Sequence, residues 1–197
     1  RLHTHGLALL NFDLSRANQS KPILQAPVFE LKEIDWYTLL FLKRLVAKEA
    51  VALNPIVNTT FLPPKGDGGA SQELAVLESL KEFLDVDLFS LKNASANLNF
   101  EAGRTSVSLR GINASILTNK MIQSRSLDEV LEATPVFSFR NLTMKRDAID
   151  ARIENFNLRQ GKFSLGNVAY VDGNRLDLKL NELNVDQLSY DKSLKNI

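Results

Sequence analysis

Apolar and polar residues alternate along much of this chain, and that period constrains its fold more than any other feature. The stretch DLFSLKNASANLNFEAGRTSVSLRGINASI, from Asp87 to Ile116, alternates, turns at residues 101–103, and alternates again. It uses the tripeptide Asn-Ala-Ser twice, at Asn93 and Asn113. A period of two places every second side chain on one face of a β-strand. The stretch therefore predicts a β-hairpin with one apolar and one polar face.

The same period continues in the C-terminal part of the chain. The segments VFSFRNLTM, AIDARIENFNL, KFSLGNVAYV and RLDLKLNELNV follow one another, with turn signals at Gly161 and at residues 172–174. Turns spaced about 8 to 12 residues apart favour an all-β architecture. Long helices do not alternate with the strands, which argues against a doubly wound α/β fold. We predict a mainly β protein with a few short helices, built on a repetitive antiparallel curved sheet.

The N-terminal part also reads as extended chain, interrupted by one short helix. Residues 7–14 and 23–34 predict strands, and Pro27 predicts an edge or a bulge because it cannot donate to a ladder. Asp35 is a candidate N-cap for a helix over WYTLLFLKR. A further extended stretch follows that helix and is interrupted by Pro55.

Two segments predict additional helices. Residues 63–85 predict a loop-plus-helix insertion: PPKGDGG is loop-like, and an apolar stripe at helical spacing follows it. The stripe consists of Leu74, Leu77, Leu80, Phe83 and Leu84. A capping box at residues 126–129 predicts a short helix that Pro135 ends. We treat residues 1–197 as one β-rich domain, and we expect it to be a fragment of a longer protein.

Composition argues against several classes of function. The net charge is +1 and the charges of both signs are mixed along the chain, which argues against a nucleic-acid partner. Cysteine is absent, so there are no disulfides and no thiolate chemistry. The longest uncharged apolar run, Trp36–Leu42, is too short to cross a bilayer.

Motifs for catalysis, cofactors and metals are also missing from the sequence. The histidines, His3 and His5, have no nearby third ligand, so no metal site is predicted. There is no Gly-x-Ser-x-Gly elbow, dinucleotide fingerprint or Walker A loop. We therefore predict a protein that is not an enzyme and has no cofactor.

Five Asn-x-Ser/Thr sequons occur, at Asn18, Asn58, Asn93, Asn113 and Asn141. Glycosylation there would require a secreted eukaryotic protein. A strand protein rich in asparagine also forms such triplets by chance. The sequence leaves the two explanations open.

The candidate functional feature is the apolar face of the predicted sheet. A continuous apolar surface is unfavourable in water unless a partner, a ligand or the protein itself covers it. If a helix closes one side of a curved sheet, the face forms a groove for phospholipid acyl chains. The alternative is a structural or adhesive β module whose apolar face is only its core. The candidate lipid-binding residues are Leu98, Phe100, Val107, Leu109, Phe156, Leu158, Phe163, Leu165, Leu176, Leu178 and Leu180.

Three phrases of the sequence resemble the AsmA-like family of bacterial envelope proteins. IDWYTLLFLKRLVAKEAVALNPIVNTTF, residues 34–61, resembles a family phrase in which a short helix precedes an Asn-Pro-x-Val strand start. LESLKEFLDVDLFSLKNASANLNF, residues 77–100, resembles the next phrase, with Asn93-Ala94 where the family often has Asn-Gly. The strands from residue 139 onward resemble the repeated rungs that follow. The positions that match the first phrase are Asp35, Leu39, Leu40, Asn54, Pro55 and Val57.

The resemblance covers most of the chain from about residue 28 and carries no catalytic residues. It implies a groove-shaped sheet related to the bridge-like lipid-transfer proteins. It also implies a periplasmic protein, held in the inner membrane by an N-terminal anchor missing from this chain. The implied role is phospholipid transport in outer-membrane biogenesis. The oligomeric state stays open.

Overall fold

The computed structural model describes residues 6–15, 22, 24–61, 84–100, 104–124, 127–159, 162–173 and 175–185. Within these residues the chain forms a ten-stranded sheet and three short helices. The strands are β1 (Gly6–Leu14), β2 (Leu24–Ile34), β3 (Leu45–Leu53), β4 (Ile56–Phe61), β5 (Leu84–Phe100), β6 (Thr105–Leu117), β7 (Val136–Arg146), β8 (Ile149–Arg159), β9 (Lys162–Asp172) and β10 (Leu176–Val185). The helices are α1 (Trp36–Leu42), α2 (Thr118–Gln123) and α3 (Leu127–Ala133). The predicted class, mainly β with a curved and largely antiparallel sheet, is confirmed.

The strand order is β1-β2-β3-β5-β6-β7-β8-β9-β10, and β4 pairs with β2 and β5. All pairs are antiparallel except that β3 and β4 both run parallel to β5. They lie end to end along that long strand, and Pro55 is buried at the break, where its carbonyl accepts from the Ser95 N–H at 2.8 Å. The interruption predicted at Pro55 is confirmed, whereas the parallel pairing was not predicted.

The predicted insertion at residues 63–85 falls mostly outside the described residues. A parallel pair of strands requires a crossover connection, and here residues 62–83 connect β4 to β5. The predicted loop and most of the predicted helix belong to that segment. Leu84 and Asp85, which the prediction placed in the insertion, begin β5 instead.

Helix α1 joins β2 to β3 at one end of the sheet. The Asp35 carboxylate accepts from the Thr38 N–H at 3.1 Å and from the Thr38 hydroxyl at 2.7 Å. These hydrogen bonds lower the pKa of Asp35. The predicted N-cap is confirmed, and the helix ends at Leu42 because Lys43 adopts the left-handed conformation.

The other two helices lie between β6 and β7, at the same end of the sheet as α1. Helix α2 contacts β5 and β6, and it was not predicted. Helix α3 agrees with the helix predicted from the capping box, although Ser126 itself lies outside the described residues. It ends two residues before Pro135, and β7 begins immediately after that proline.

The long strands contain a position where successive apolar residues are three apart instead of two. The steps are Leu9/Phe12 in β1, Ala26/Phe29 in β2, Leu91/Ala94 in β5, Leu109/Ile112 in β6, Phe139/Leu142 in β7, Ile153/Phe156 in β8, Leu165/Val168 in β9 and Leu180/Leu183 in β10. Within five of them lies a residue with positive φ, namely Asn11, Asn93, Gly111, Asn141 or Asn167. We call this line of steps across the sheet the crease.

A left-handed residue reverses the ordinary alternation, so apolar residues before and after the step reach the same face. Packing supports this geometry, because Leu91 and Ala94 belong to the same apolar cluster, as do Leu109 and Ile112. Pro27 lies at the step of β2, where the pairing with β1 is interrupted. Pro27 was predicted to mark either an edge strand or a bulge. Because β2 is an inner strand, the edge is excluded, and Pro27 marks an irregular position within the strand.

The buried residues form two clusters that meet on the apolar face. The first lies on β2, β3 and β5 and comprises Ala26, Phe29, Leu31, Ile34, Ala47, Ala50, Ala52 and Val86. The second comprises Ala94, Ala96, Ile112 and Phe139. Leu91 packs against both clusters, so the apolar layer is continuous from the N-terminal strands to the C-terminal ones.

Candidate functional site

The strand register places one row of apolar side chains across the whole sheet. Directly paired residues of neighbouring strands lie on the same face. We call one such set the long row: Leu9, Phe29, Ala52, Leu91, Ala114, Phe137, Leu158, Phe163 and Val185. With strands about 4.8 Å apart, these nine residues extend roughly 38 Å along the sheet. The long row is therefore an uninterrupted apolar path that runs across the strands.

Parallel rows lie beside the long row and widen the apolar face. The row next to it consists of Phe139, Phe156, Leu165 and Leu183, in which each residue pairs with the next one on the neighbouring strand. Beyond the crease a third row contains Ala96, Leu109, Leu142, Ile153, Val168 and Leu180. A fourth contains Leu98, Val107, Met144, Ala151, Tyr170 and Leu178.

All the predicted lipid-binding residues lie on this one face. Leu158 and Phe163 belong to the long row, and Phe156 and Leu165 belong to the row beside it. Leu109 and Leu180 lie in the third row, while Leu98, Val107 and Leu178 lie in the fourth. Phe100 and Leu176 fall at the far end of the sheet. The structure thus brings together residues that were chosen from separate strands.

Exposure of the apolar face increases towards β10. Leu158 is buried at 5% exposure, whereas Leu178 is 47% exposed and Leu176 51%. The other predicted residues are half-buried, except Leu180, which is exposed. In the part of the chain that the structure describes, β10 pairs only with β9, which leaves its side chains few neighbours. The face is therefore a closed core near β2 and β3 and is accessible near β10.

Aromatic rings connect the buried part of the apolar face, which includes Phe139, to its accessible part. The rings of Phe139 and Phe156 stack with centroids 5.2 Å apart, and Phe156 also stacks on Phe163 at 6.1 Å. Phe137 contacts Phe139 edge-on at 6.1 Å. These rings connect the long row to the row beside it, so the two rows form one apolar surface.

The opposite face of the sheet is polar. Asn97 donates to Asn58 and accepts from Ser108, which forms a ladder across three strands. Arg152 binds Asp150 with contacts of 3.1 and 3.3 Å, and this pair lowers the pKa of Asp150. A depression of about 820 Å³ lies at the crease, and its lining combines the polar residues Arg110, Asn141, Arg152, Glu154, Asn167 and Lys179 with Leu142, Ile153, Val168 and Leu180 of the third row. The sheet therefore separates an apolar side from a charged, solvated side.

Sequence reasoning missed the N-terminal half of the apolar face. Leu9, Phe12, Phe29 and Leu31 belong to it, yet no residue before Leu98 was among the predicted site residues. The reason is that strict alternation was expected, and Leu9 and Phe12 are three positions apart. The signals that identify these positions are Asn11 within the three-residue step of β1 and Pro27 within that of β2.

The sequon asparagines have structural roles within strands. Asn93 donates through Nδ2 to Asn54 Oδ1 at 2.7 Å, and Asn58 accepts from Asn97 at 3.1 Å. Asn113 accepts a backbone N–H, and Asn141 adopts a positive φ of 66°. Asn18 lies outside the described residues. Sheet geometry therefore accounts for the asparagines at these four positions.

No group of three His, Asp or Glu side chains suited to a metal ion occurs within the described ranges, which exclude His3 and His5. Of the helices that the structure describes, none is both long and apolar enough to cross a bilayer.

Comparisons with family models, with curated proteins and with solved structures returned no match. The resemblance to the AsmA-like family therefore stays a prediction, based on the quoted phrases alone.

Proposed function

We propose that this domain binds phospholipid acyl chains on its apolar face and shields them from water. The observation that supports the proposal most directly is the long row, in which all nine paired positions are apolar. The accessible half of the face, near β8 to β10, is the binding region. Its predicted contacts are Phe156, Phe163, Leu165, Leu176, Leu178 and Leu180.

The dimensions of the face suit an acyl chain. A bilayer core is about 30 Å thick, so one acyl chain extends about 15 Å. Across strands about 4.8 Å apart, that length covers three to four strands. Each buried CH₂ group contributes about 0.8 kcal/mol, so a chain of ordinary length is held without any specific polar contact. The head group stays in water at the open edge of β10.

The biological setting of the proposal comes from the resemblance to the AsmA-like family. In that setting the domain is periplasmic and belongs to a longer protein anchored in the inner membrane. It moves phospholipid passively during outer-membrane biogenesis, because no step requires a reactive group. The lipid slides along the apolar rows as it exchanges one set of leucine and phenylalanine contacts for the next.

The alternative function is a structural or adhesive module with no ligand. Leu31, Ala50 and Ala52 are buried, so the β2–β3 half of the face is a core under both proposals. The two proposals differ at β10. A lipid-binding face requires the exposed leucines of that strand, whereas a structural module does not.

Native mass spectrometry of the purified domain tests the proposal. We expect phospholipid adducts on the wild-type protein after incubation with phosphatidylethanolamine vesicles. Leu178→Asp places a carboxylate on the exposed part of the face, so it should remove the adducts and leave the circular dichroism spectrum unchanged. Asn157→Asp adds the same charge on the polar face, where Asn157 is exposed, and should keep the adducts. Absence of adducts on the wild-type protein, or their retention in Leu178→Asp, would contradict the proposal.

A further inference from the structure

Helix α1 exposes an unusual amount of apolar surface for its length. Tyr37, Leu40, Phe41 and Leu42 are each 67–69% exposed, although the helix has only seven residues. The rings of Tyr37 and Phe41 contact each other with centroids 4.9 Å apart. These four side chains form one patch, which we call the α1 tip. A cluster of large exposed apolar side chains normally marks a surface that contacts something other than water.

The helix is held firmly while its tip projects. Trp36 and Leu39 pack against the first apolar cluster, so that side of the helix is fixed to the sheet. Asp35 caps the first turn through Thr38, and the left-handed Lys43 ends the last turn. The packing of Trp36 and Leu39 and the two helix ends therefore set the orientation of the tip, and the exposed side chains of the tip do not.

We propose that the α1 tip inserts shallowly into the surface of a lipid bilayer and docks the domain there. Tyrosine and tryptophan favour the interfacial region of a bilayer, where an apolar ring meets water and head groups. Leu40, Phe41 and Leu42 supply the apolar part that enters the acyl boundary. Lys43 follows directly and can extend its charged group to the head groups. This inference stands apart from acyl-chain binding on the sheet and uses other residues.

The size of the patch favours a bilayer over a protein partner. Four side chains of this size expose on the order of 500 Å². A stable protein interface requires roughly 800 Å² from each partner. A bilayer needs no complementary pocket, because acyl chains adapt to a projecting tip.

The charges around the tip largely balance each other. Arg44 pairs with Asp85 at 2.6 Å, and Lys48 pairs with Glu33 at 2.6 Å. Asp35 adds a negative charge at the start of the helix. Docking should therefore depend on apolar insertion rather than on anionic lipid, and it should persist at high salt.

The only tryptophan of the chain, Trp36, provides the test. Vesicles of phosphatidylcholine brominated on the acyl chains quench tryptophan fluorescence only when the ring approaches the bilayer. We expect quenching of the wild-type protein by these vesicles, at low and at high salt alike. Unbrominated phosphatidylcholine vesicles are the reference. Absence of quenching, together with absence of co-flotation with the vesicles, would overturn the inference.

A matched pair of variants locates the contact. Leu40→Ser combined with Phe41→Ser should weaken vesicle binding by at least about tenfold, because it removes two side chains of the tip. Leu10→Ser removes a leucine of 73% exposure on β1 and should leave binding unchanged. Equal binding by both variants would overturn the inference. Gel filtration tests whether the α1 tip binds a second copy of this chain instead of a bilayer. A wild-type dimer that becomes a monomer in the tip variant would also overturn the inference.

Two variants distinguish a failure of acyl-chain binding on the sheet from a failure of docking through the α1 tip. Leu178→Asp should lose lipid adducts and still dock to vesicles, whereas the tip variant should keep its adducts and fail to dock. Vesicle binding that disappears in Leu178→Asp and persists in the tip variant would place the bilayer contact on the sheet face instead.

Discussion

The backbone N–H of Asn93 donates a hydrogen bond to the side-chain oxygen of Asn113, 3.0 Å away on the neighbouring strand. These residues begin the two Asn-Ala-Ser tripeptides of the sequence. Asn93 adopts a positive φ of 54° and donates its own amide to Asn54, which also has a positive φ. The repeated tripeptide thus reflects neighbouring positions at the crease, where asparagine side chains connect β5 to β6 and to the break between β3 and β4.

Removal of the Asn113 side chain should destabilise the crease. We expect Asn113→Ala to lower the free energy of unfolding by about 1 kcal/mol, because the Asn93 N–H loses its acceptor. Urea denaturation followed by circular dichroism measures the change. Asn99→Ala, at an exposed position further along β5, should change stability by less than about 0.5 kcal/mol. Equal effects of the two substitutions would show that the hydrogen bond contributes nothing.

The left-handed position in β7 should tolerate glycine and reject a β-branched residue. Asn141 has a φ of 66°, so Asn141→Val should cost about 1–2 kcal/mol or more, while Asn141→Gly should be close to neutral. Thermal melting compares the variants. Asn157→Val, on the polar face of β8, is the control and should not destabilise, because valine favours ordinary strand positions. A tolerated valine at position 141 would mean that the crease does not require this conformation.

The aromatic centre of the face should contribute strongly to stability. Phe156 contacts Phe137, Phe139 and Phe163, and Phe156→Ala should lower the free energy of unfolding by about 2–3 kcal/mol. Leu183 lies in the same row at an exposed position, so Leu183→Ala should lower the free energy of unfolding by less than about 0.5 kcal/mol. Chemical denaturation of both variants checks this contrast. A large loss in Leu183→Ala would indicate that β10 is covered in solution.

Acid should weaken the pairing of β2, β3 and β5 through Glu49. Glu49 lies 3.0 Å from Lys32 and accepts from Ser90 at 3.1 Å, and these contacts hold its pKa below the ordinary value of 4.5. A lowered folded-state pKa stabilises the protein above the unfolded-state pKa, and this stabilisation is lost as the pH falls through the folded-state value.

We therefore expect Glu49→Gln to be less stable than the wild type near neutral pH and to lose less stability on acidification. Urea midpoints at about pH 6 and about pH 3.5 measure the difference. Asp177→Asn removes an exposed carboxylate 3.7 Å from Lys179 and should behave like the wild type. An unchanged pH dependence in Glu49→Gln would contradict the assignment.

The strands were predictable because local alternation determines them. Leu176, Leu178 and Leu180 alternate with charged residues in the sequence, and they share a face in the structure. Asp35 was recognisable as an N-cap because its side chain acts on a backbone group three residues away. Such features depend on neighbours in the chain, so the sequence alone carries them.

The features that were missed depend on residues far apart in the chain. The parallel pairing of β3 with β5 joins Leu45 to Leu84, and no local pattern specifies which strands meet. Leu9 and Phe12 are three positions apart and did not fit the expected alternation, because a left-handed asparagine between them changes its phase. The exposure gradient along the face follows from strand order, which alternation does not determine.

Both outer strands of the described sheet, β1 and β10, end the long row with an apolar residue, Leu9 and Val185. Another rung hydrogen-bonded to either margin would prolong this hydrophobic track by about 4.8 Å. The length of the apolar row would then scale with the number of rungs, while the chemistry of each rung stayed the same. Such an architecture is modular: reach is gained by repetition, and no residue in the middle has to change.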